Sequence, residues 1–403
     1  MVEIEARLDE LRTMGLRRRI RLVSGPQGPH VLLDGKPVLL LCSDNFLGLA
    51  DHAKVRKAAA DAAVRWGAGA GASRLASGTM TVHRRLEERL AEFAGLASAL
   101  LFGSGYLANI GAIAALARPG DVVFCDEYAH ASIVDGCRLS GADAFVYGHC
   151  DIEHLRWGIG DAGGRGALIA TEGVFSATGG VAPLDELAEL AERRGLRLLV
   201  DDANGLGTFG PGGRGACAEA GIEADVITGS LGHAFGSCGG FVACDRQMAS
   251  YLVNSAHTLE CSGALPPPAV AAARAALDEL ARRPDRIARL GANAAALRGE
   301  LRGLGFDVGD SRTQIIVLRL GDVALAAEIR DRALEQGIFV QAAGADLRLT
   351  ALASHREEEL RAAARTLAHL SRAAGFEPRA RGLTVLDPAP GLFDHEAPAR
   401  RAA

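Results

Sequence analysis

The sequence contains very little lysine. Of its 44 lysine and arginine residues only three are lysines, Lys36, Lys54 and Lys57, and the 346 residues that follow contain none. A genome-wide preference for arginine and alanine accounts for most of this bias. The bias nevertheless excludes chemistry based on a lysine side chain from the middle and C-terminal parts of the chain.

Long apolar runs and a strong charge of either sign are also absent. The longest apolar runs, such as residues 37–41, are far too short to span a bilayer. The charged N-terminus has no apolar segment of the kind found in signal peptides. The net charge is −5 and the isoelectric point is about 6.1, so there is no electrostatic signature of nucleic-acid binding. We therefore predict a cytoplasmic protein that binds neither nucleic acid nor membrane.

The eight cysteines do not form a recognisable metal-binding pattern. None belongs to a C-x-x-C pair, and the closest two, Cys238 and Cys244, are six positions apart. Cysteines without such spacing are typical of free buried thiols in a reducing compartment. The sequence therefore predicts no metal site.

The 403 residues have an ordinary globular composition, with 49% hydrophobic and 23% charged residues. Between about residues 50 and 245, short apolar runs alternate with helical stretches. The seven runs lie at residues 98–103, 121–126, 144–147, 167–171, 196–200, 226–228 and 240–243. Continuous apolar runs separated by helices indicate strands that are covered on both faces. The sequence therefore predicts an α/β fold with a mostly parallel sheet.

The remaining segments predict how the chain divides into domains. Residues 1 to about 20 have helical periodicity, and a hairpin is predicted over 30–41. After three consecutive prolines, 266–268, the pattern predicts one long helix over 269–303, followed by strands near 313–320, 338–341 and 347–352. We expect four parts, listed here by residue number: an N-terminal arm, 1–50; a large domain, 51–290; a small α+β domain, 291–375; and a flexible tail, 376–403.

Polar residues follow several of the predicted strands, at the sheet edge where ligands of such folds bind. Ser104-Gly105-Tyr106 opens a helix after the first run, and glycine at a helix N-terminus suits an anion, although an ordinary strand-to-helix turn explains the same residues. Asp201 ends another run, where a buried carboxylate needs a partner, and it could equally cap a helix. The glycine-dense turn 228–240 indicates that the backbone approaches a neighbouring group closely there.

Taken together, these segments resemble the α-oxoamine synthases, which are fold-type-I pyridoxal-phosphate (PLP) enzymes, over roughly residues 15–370. The matching segments include Asn45-Phe46-Leu47-Gly48-Leu49, Ser104-Gly105-Tyr106, His130-Ala131-Ser132, Thr171-Glu172-Gly173-Val174-Phe175-Ser176, Val200-Asp201-Asp202-Ala203 and Leu347-Arg348-Leu349-Thr350. The resemblance implies the PLP-transferase fold, with a seven-stranded sheet and a small C-terminal domain. It also implies a homodimer.

The resemblance assigns roles to particular residues. The cofactor-binding positions are Ser104, Gly105, Tyr106 and Ser230 for the phosphate, His130 stacked on the pyridine ring, Ser176, and Asp201 beside the pyridine nitrogen. The substrate-binding positions are Arg348 for an amino-acid carboxylate, Asn45, and Arg17, which lies where the far end of an acyl chain would be held. A solvated basic face is the simpler interpretation of residues 17–19.

Three departures from the family pattern affect positions that the family uses for catalysis or substrate binding. His233 occupies the position of the family's Schiff-base lysine, and Asn204 replaces the histidine of its D-x-A-H element. The proline-rich loop that precedes the carboxylate-binding arginine is missing before Arg348. Imidazole cannot form a stable Schiff base with an aldehyde, although it can act as a general base near neutral pH. The predicted catalytic residues are therefore His233, His130 and Asn204.

Several interpretations remain open at this point. The chain could transfer an acyl group from acyl-CoA or an acyl-carrier protein to an amino acid or amine, with His233 as base and no cofactor. It could hold PLP, or its amine form PMP, noncovalently. It could also be a catalytically inactive partner of a lysine-bearing subunit. A laboratory substitution at His233 is disfavoured, because Asn204 and the missing loop depart from the pattern as well.

Overall fold

The structure, a computed structural model, describes residues 4–14 and 17–376. The N-terminal part consists of helix α1 (Ile4–Thr13) and strands β1 (Val23–Ser24), β2 (His30–Leu33) and β3 (Lys36–Leu40). The predicted helix over 1–20 is thus too long, since residues 17–20 are not helical. No residue of α1 is buried, so the helix has no packed face that would stabilise further turns.

In the middle of the chain, most strands are followed by a helix. Its elements are α2 (Ala53–Trp66), α3 (Thr81–Ala94), β4 (Ser98–Phe102), α4 (Gly105–Leu116), β5 (Val122–Asp126), α5 (Ala131–Ser140), β6 (Asp143–Tyr147), α6 (Ile152–Asp161), β7 (Gly166–Glu172), α7 (Leu184–Arg194), β8 (Arg197–Asp201), a short 3₁₀ turn (Pro211–Gly213), α8 (Ala216–Ala220), β9 (Val226–Ser230), β10 (Gly240–Cys244), α9 (Arg246–Ser255), α10 (His257–Glu260) and α11 (Pro267–Arg282). All seven predicted strands are present.

The C-terminal part is a smaller α+β unit. Its elements are α12 (Asp285–Gly303), β11 (Ile315–Leu318), α13 (Val323–Glu335), β12 (Ile338–Phe339), β13 (Gln341–Ala343), β14 (Asp346–Thr350) and α14 (Glu357–Ala373). Strands β11, β14 and β13 form one antiparallel sheet. Strand β12 pairs instead with β3, in parallel, so the C-terminal unit completes the N-terminal sheet.

The seven strands of the middle part form one sheet in the order β4-β10-β9-β8-β7-β5-β6. Only β10 runs antiparallel to its neighbours, which confirms the mostly parallel α/β prediction. Every residue of β5 and of β10 is buried, as expected for strands covered by helices on both faces. The carboxyl ends of β5, β7, β8 and β9 lie side by side at one edge of the sheet.

Two hydrophobic cores meet within helix α12. Leu290 packs in the core beneath the large sheet, whereas Ala294 and Leu297 pack with the C-terminal strands. Leu41, which follows β3, also belongs to the C-terminal core. One helix thus connects the two cores, and the limits predicted for the domains remain a prediction.

Two predicted elements are each divided in the structure. The helix predicted over 269–303 is two helices, α11 and α12, because Pro284 has no backbone N–H and disfavours helical geometry at Arg283. The strand predicted over 338–341 is split at Val340 between two sheets. The tail predicted from 376 onward lies, beyond Phe376, outside the described residues.

Among residues 4–14 and 17–376, no helix is both long enough and apolar enough to cross a membrane.

Gly240, at the start of β10, allows the closest backbone approach in the sheet. A Cβ atom there would overlap the backbone of Ser104 and Gly105, at the junction of β4 and α4. We predict that Gly240→Ala lowers the free energy of unfolding by about 1–3 kcal/mol, as overpacking of a well-packed site does. The shift of the urea unfolding midpoint measures this loss.

Gly299→Ala is the matched control for that substitution. Gly299 lies in α12, where an added Cβ meets no atom within 4 Å. Alanine there should raise stability by up to about 1 kcal/mol, because it favours the helix. Equal midpoints for the two variants would contradict the packing argument.

Candidate functional site

Four adjacent parallel strands end in polar residues at the same edge of the sheet. They are Asp126 on β5, Glu172 on β7, Asp201 on β8 and Ser230 on β9. Ligands of open α/β sheets bind at this edge. The loops that follow these strands carry most of the residues predicted from the sequence.

The predicted phosphate-binding residues converge where α4 begins. Ser104 is the N-cap of α4 and accepts a hydrogen bond from the Leu107 backbone N–H through its hydroxyl. A Cβ on Gly105 would lie 3.4 Å from the Gly229 carbonyl oxygen and 3.5 Å from the Ser230 Cβ, so glycine leaves the helix N-terminus open toward Ser230. The Ser230 hydroxyl accepts the Gly232 N–H at 3.1 Å. Free N–H groups and hydroxyls placed in this way suit an anion.

Tyr106 lies beside this turn, and the residue is 40% exposed. Its hydroxyl donates a short hydrogen bond to the Asp135 carboxylate. The Tyr106 ring meets the His130 ring edge-on, with centroids 6.2 Å apart. Tyr106 therefore connects the start of α4 to His130.

Asp201 belongs to a buried hydrogen-bond network. Its Oδ2 accepts from the Asn109 carboxamide at 2.6 Å, and its Oδ1 accepts from the Ala203 backbone N–H at 3.1 Å. Asn109 also donates to the Ser132 hydroxyl at 2.7 Å and accepts from the Thr228 hydroxyl at 2.5 Å. These bonds leave Asp201 with lone pairs for a further donor.

The network ends on the imidazole of His130. The Ser132 hydroxyl lies 2.7 Å from His130 Nδ1, and the Ser132 backbone N–H donates to the same nitrogen at 3.3 Å. A backbone N–H can only donate, so His130 Nδ1 must be the acceptor nitrogen. Neutral His130 therefore carries its proton on Nε2, on an exposed ring.

His233 is in the opposite tautomer. Its Nδ1 lies 3.0 Å from the Ala203 carbonyl oxygen, which can only accept, so Nδ1 carries the proton and Nε2 the lone pair. The half-buried ring meets Phe46 edge-on at 5.8 Å. No hydrogen bond to His233 Nε2 is found among the described residues. The lone pair of a base is thus available at Nε2.

Arg348 lies on β14 and is 9% exposed. Its Nε donates to the Ser176 carbonyl oxygen at 2.9 Å, and its Nη2 lies 3.4 Å from the Asp44 carboxylate. These contacts use two of the five guanidinium N–H donors, so the others can bind a carboxylate. Arg348 therefore connects the C-terminal unit to the loop after β7.

Ser176 lies between this arginine and a buried carboxyl group. Its backbone N–H donates to Glu172 at 3.0 Å, and its hydroxyl donates at 3.3 Å. Burial, together with the negative charge of Asp201, raises the pKa of the Glu172 carboxyl well above its usual range. Burial thus favours the protonated form of the Glu172 carboxyl over the carboxylate.

The other predicted residues have different surroundings. Asn204 is buried, and its carboxamide donates to the Val174 carbonyl at 3.3 Å. The Asn45 carboxamide accepts the Ala50 N–H at 3.1 Å, which closes the turn that carries Phe46. Arg17 is exposed and has no hydrogen-bond or ion-pair partner in the described part of the chain. The structure thus gives Asn204 and Asn45 contacts within loops and gives Arg17 none.

Sequence reasoning left several residues of the site without a role. Asn109 is the clearest, since its carboxamide connects Asp201, Ser132 and Thr228. One signal was present, because Asn109 is a polar residue inside the otherwise apolar helix α4. Glu172 also ends a buried strand, as Asp201 does.

The three lysines lie outside this arrangement of residues. Lys54 pairs with Glu279 at 2.7 Å, and Lys57 pairs with Asp61 at 2.8 Å, both from helix α2. Lys36 lies exposed on β3. None of them contacts a residue of the site, so no lysine amine is available there.

Comparisons with known proteins agree with this fold. The family described as aminotransferase class I and II matches residues 36–367. An 8-amino-7-oxononanoate synthase from Geobacter sulfurreducens is 44% identical over 387 residues, which cover 93% of this chain and 99% of that protein. The chain therefore belongs to the aminotransferase class I and II family, and its relatives place it among the α-oxoamine synthases.

Two solved structures of serine palmitoyltransferase are similar as well. The Sphingomonas wittichii enzyme is 31% identical, with a TM-score of 0.86, over 92% of this chain and 97% of that one. A lysine-to-alanine variant of the S. paucimobilis enzyme, with a bound PLP–myriocin aldimine, is 30% identical, with a TM-score of 0.87 and the same coverage. These similarities confirm the fold-type-I prediction.

Asp202 is the most enclosed carboxyl group near the site. A Cβ on Gly205 or Gly215 would overlap its carboxyl group, and its Oδ1 has no hydrogen-bond partner. Burial raises its pKa from 3.8 to about 8, although its Oδ2 accepts the Ala216 N–H. Asp202 is therefore protonated in the folded chain at neutral pH.

This protonation predicts a pH-dependent stability. The unfolded chain ionises Asp202 near pH 4, whereas the folded chain ionises it near pH 8, so unfolding releases a proton between these values. The contribution of Asp202 is fully present below pH 4 and is lost as the pH rises to 8, at about 1.4 kcal/mol per pH unit. Asp202→Asn removes this slope. The excess of the variant's Tm over that of the wild type should grow from pH 5 to pH 8.

The exposed Asp161 provides the control for this measurement. Asp161→Asn should leave the difference in Tm constant over the same range, because its carboxyl is exposed in the folded chain. A constant difference for Asp202→Asn as well would show that Asp202 is ionised in the folded chain.

Proposed function

We propose that the chain is an acyltransferase of the α-oxoamine synthase type that uses His233 in place of a Schiff-base lysine. It transfers an acyl group from an acyl thioester, carried by CoA or an acyl-carrier protein, to an amino acid or amine. It works as a homodimer. The observation that carries the proposal is the hydrogen bond from His233 Nδ1 to the Ala203 carbonyl. This bond fixes the tautomer in which Nε2 can accept a proton.

The residues present fit PLP or PMP held without a covalent bond to the chain. Ser104, Gly105, Tyr106 and Ser230 would hold the phosphate, and His130 would lie on the ring. Asp201, fixed by Asn109, would accept a hydrogen bond from the ring nitrogen. When bound, the cofactor supplies an electron sink for charge on the amino-acid α-carbon. A cofactor-free site remains part of the proposal, because no lysine is present to attach one.

In either case His233 Nε2 receives the proton that the acceptor substrate must lose. Without a cofactor, this proton comes from the amine nitrogen as it attacks the thioester carbonyl and the thiol leaves. With a cofactor, it comes from the α-carbon of the amino acid. The Ala203 carbonyl stabilises the resulting imidazolium, because its oxygen lies 3.0 Å from Nδ1–H.

The remaining site residues position the acceptor. The free donors of Arg348 bind its carboxylate, while the Ser176 carbonyl and Asp44 hold the guanidinium in place. His130 carries a proton at Nε2 and can act as a donor, whereas His233 acts as the acceptor. Ser176 and Asn204 order the loops after β7 and β8. On the donor side, Asn45 holds the turn beside His233, and Arg17 is the residue proposed for the far end of the acyl chain.

The absence of a site lysine favours a second candidate, a catalytically inactive subunit that works beside a lysine-bearing partner. Such a subunit would not need an imidazole with a free lone pair at the site. The two candidates differ in whether the purified chain is active by itself.

The first prediction for this function concerns His233→Ala. The wild-type chain, offered a panel of acyl-CoA donors with amino acids and amines, should release CoA thiol only in the presence of an acceptor. His233→Ala should lower this rate by about 10²–10⁴-fold, which is the usual contribution of a general base. The colorimetric assay of free thiol, with mass spectrometry of the acylated product, measures the effect.

His257→Ala is the matched control, because His257 is an exposed histidine of α10 outside the site. It should keep the wild-type rate. Undiminished transfer by folded His233→Ala would remove His233 from the mechanism. A wild-type chain that is inactive alone, but active with a lysine-bearing relative, would favour the partner-subunit candidate.

The second prediction concerns His233→Lys in the presence of PLP. If the phosphate-binding residues are intact, the new amine should become attached to PLP and be trapped by borohydride at position 233. Peptide mass spectrometry should find the adduct in this variant and not in the wild type. A variant that folds but gains no adduct would argue for the cofactor-free site.

A further inference from the structure

A second cluster of reactive side chains lies at the far side of the same sheet edge. It consists of Asp126, at the end of β5, and the adjacent pair His149 and Cys150, which follows β6. One ligand atom from each lies within 4.8 Å of the other two. Residues 126 and 149 are far apart in the sequence, so no spacing motif indicated this cluster.

The geometry of the cluster resembles a set of metal ligands. His149 Nδ1 lies 2.9 Å from Asp126 Oδ1. Cys150 Sγ lies 3.8 Å from His149 Nδ1 and 3.9 Å from Nε2. A tetrahedral zinc ion separates a bound sulfur from a bound imidazole nitrogen by about 3.6 Å. Binding of one ion by all three donors requires the Cys150 side chain to rotate toward the in-plane lone pair of His149 Nδ1.

The electrostatics of the cluster favour a cation. Asp126 is 1% exposed, and His149 is its only ion-pair partner in the described part of the chain. The Tyr128 and Cys150 backbone N–H groups also donate to its oxygens. Oδ2 accepts one hydrogen bond and retains a lone pair for a metal, whereas Oδ1 accepts from both Tyr128 N–H and His149 and gains one only when His149 Nδ1 itself binds the metal. His149 and Cys150 are only partly buried, so an ion can enter from solvent.

The backbone of Cys150 provides an independent observation. Its φ is +57°, one of only two positive values for residues other than glycine in residues 4–14 and 17–376. This left-handed conformation suits glycine or asparagine, and it costs a cysteine of order 1 kcal/mol. The Cys150 backbone N–H donates a hydrogen bond to the side-chain Oδ2 of Asp126 at 2.8 Å, which stabilises this conformation. The fold thus keeps a thiol at a position where another residue would be less strained.

We propose that Asp126, His149 and Cys150 form a binding site for a borderline-soft divalent cation such as Zn²⁺. Sulfur and imidazole ligands favour Zn²⁺ and Co²⁺ over Mg²⁺ and Ca²⁺. Three protein ligands leave a fourth position for water. On binding, the Cys150 thiol gives its proton to solvent and the thiolate joins the ion. The ion would connect the loop after β5 to the loop after β6.

The test uses Co²⁺ as a spectroscopic probe of the reduced, untagged full chain. The wild type should bind one equivalent and show thiolate-to-cobalt charge-transfer absorption in the near ultraviolet, which Zn²⁺ abolishes and Mg²⁺ does not. His149→Gln should weaken the affinity at least about tenfold. Cys150→Ser should remove the charge-transfer band.

Two kinds of control keep this test decisive. Cys238→Ser and Cys261→Ser replace exposed cysteines outside the cluster and should leave the band unchanged. Cys150→Asn suits the left-handed backbone, so it should fold at least as well as the wild type without metal. This variant should lack both the band and the Zn²⁺-induced rise in Tm. A wild type without the band, or a band that survives Cys150→Asn or disappears in Cys238→Ser, would overturn the proposal.

Discussion

The carboxamide of Asn109 is the contact on which the arrangement of the site depends. From the first turns of α4 it reaches the end of β8, the middle of β9 and the start of α5, through Asp201, Thr228 and Ser132. A buried carboxylate is costly without such donors. Because each of these partners lies on a different element, one amide sets the position of Asp201, of the Ser132 hydroxyl and, through it, of His130.

The chemistry that we propose rests on two histidines held in opposite tautomers. Ser132 N–H requires an acceptor at His130 Nδ1, whereas the Ala203 carbonyl requires a donor at His233 Nδ1. One imidazole therefore offers a proton at Nε2 and the other a lone pair. A lysine that forms a Schiff base needs no such orientation by a backbone carbonyl. In the proposed mechanism, the scaffold of an α-oxoamine synthase carries a different kind of base, supported by the backbone of the loop after β8.

The sheet edge holds two separate groups of polar residues, at different distances from the helix α4 N-terminus. Asp201 and Ser230 face the glycine turn, whereas Asp126 holds His149 and Cys150 beyond β7. Phe175, the residue before Ser176, lies between the two groups. Its ring contacts the His149 ring edge-on, with centroids 4.5 Å apart. Two chemistries, proton transfer and soft-metal binding, can therefore share one scaffold, because parallel strands bring all their carboxyl ends to one edge.

The sequence by itself determined the strands of the sheet, because runs such as residues 122–125 are apolar at every position, which favours burial of both faces. It also excluded lysine from every position after residue 57, and motif matches predicted roles for Asp201, His130 and Arg348. Tertiary structure decided the rest. Pro284 divided a helix whose periodicity continues across it, and Val340 separated strands of two sheets. The tautomers of His130 and His233, the partners of Asn109, and the meeting of Asp126 with Cys150 depend on contacts between distant segments, which local pattern does not encode.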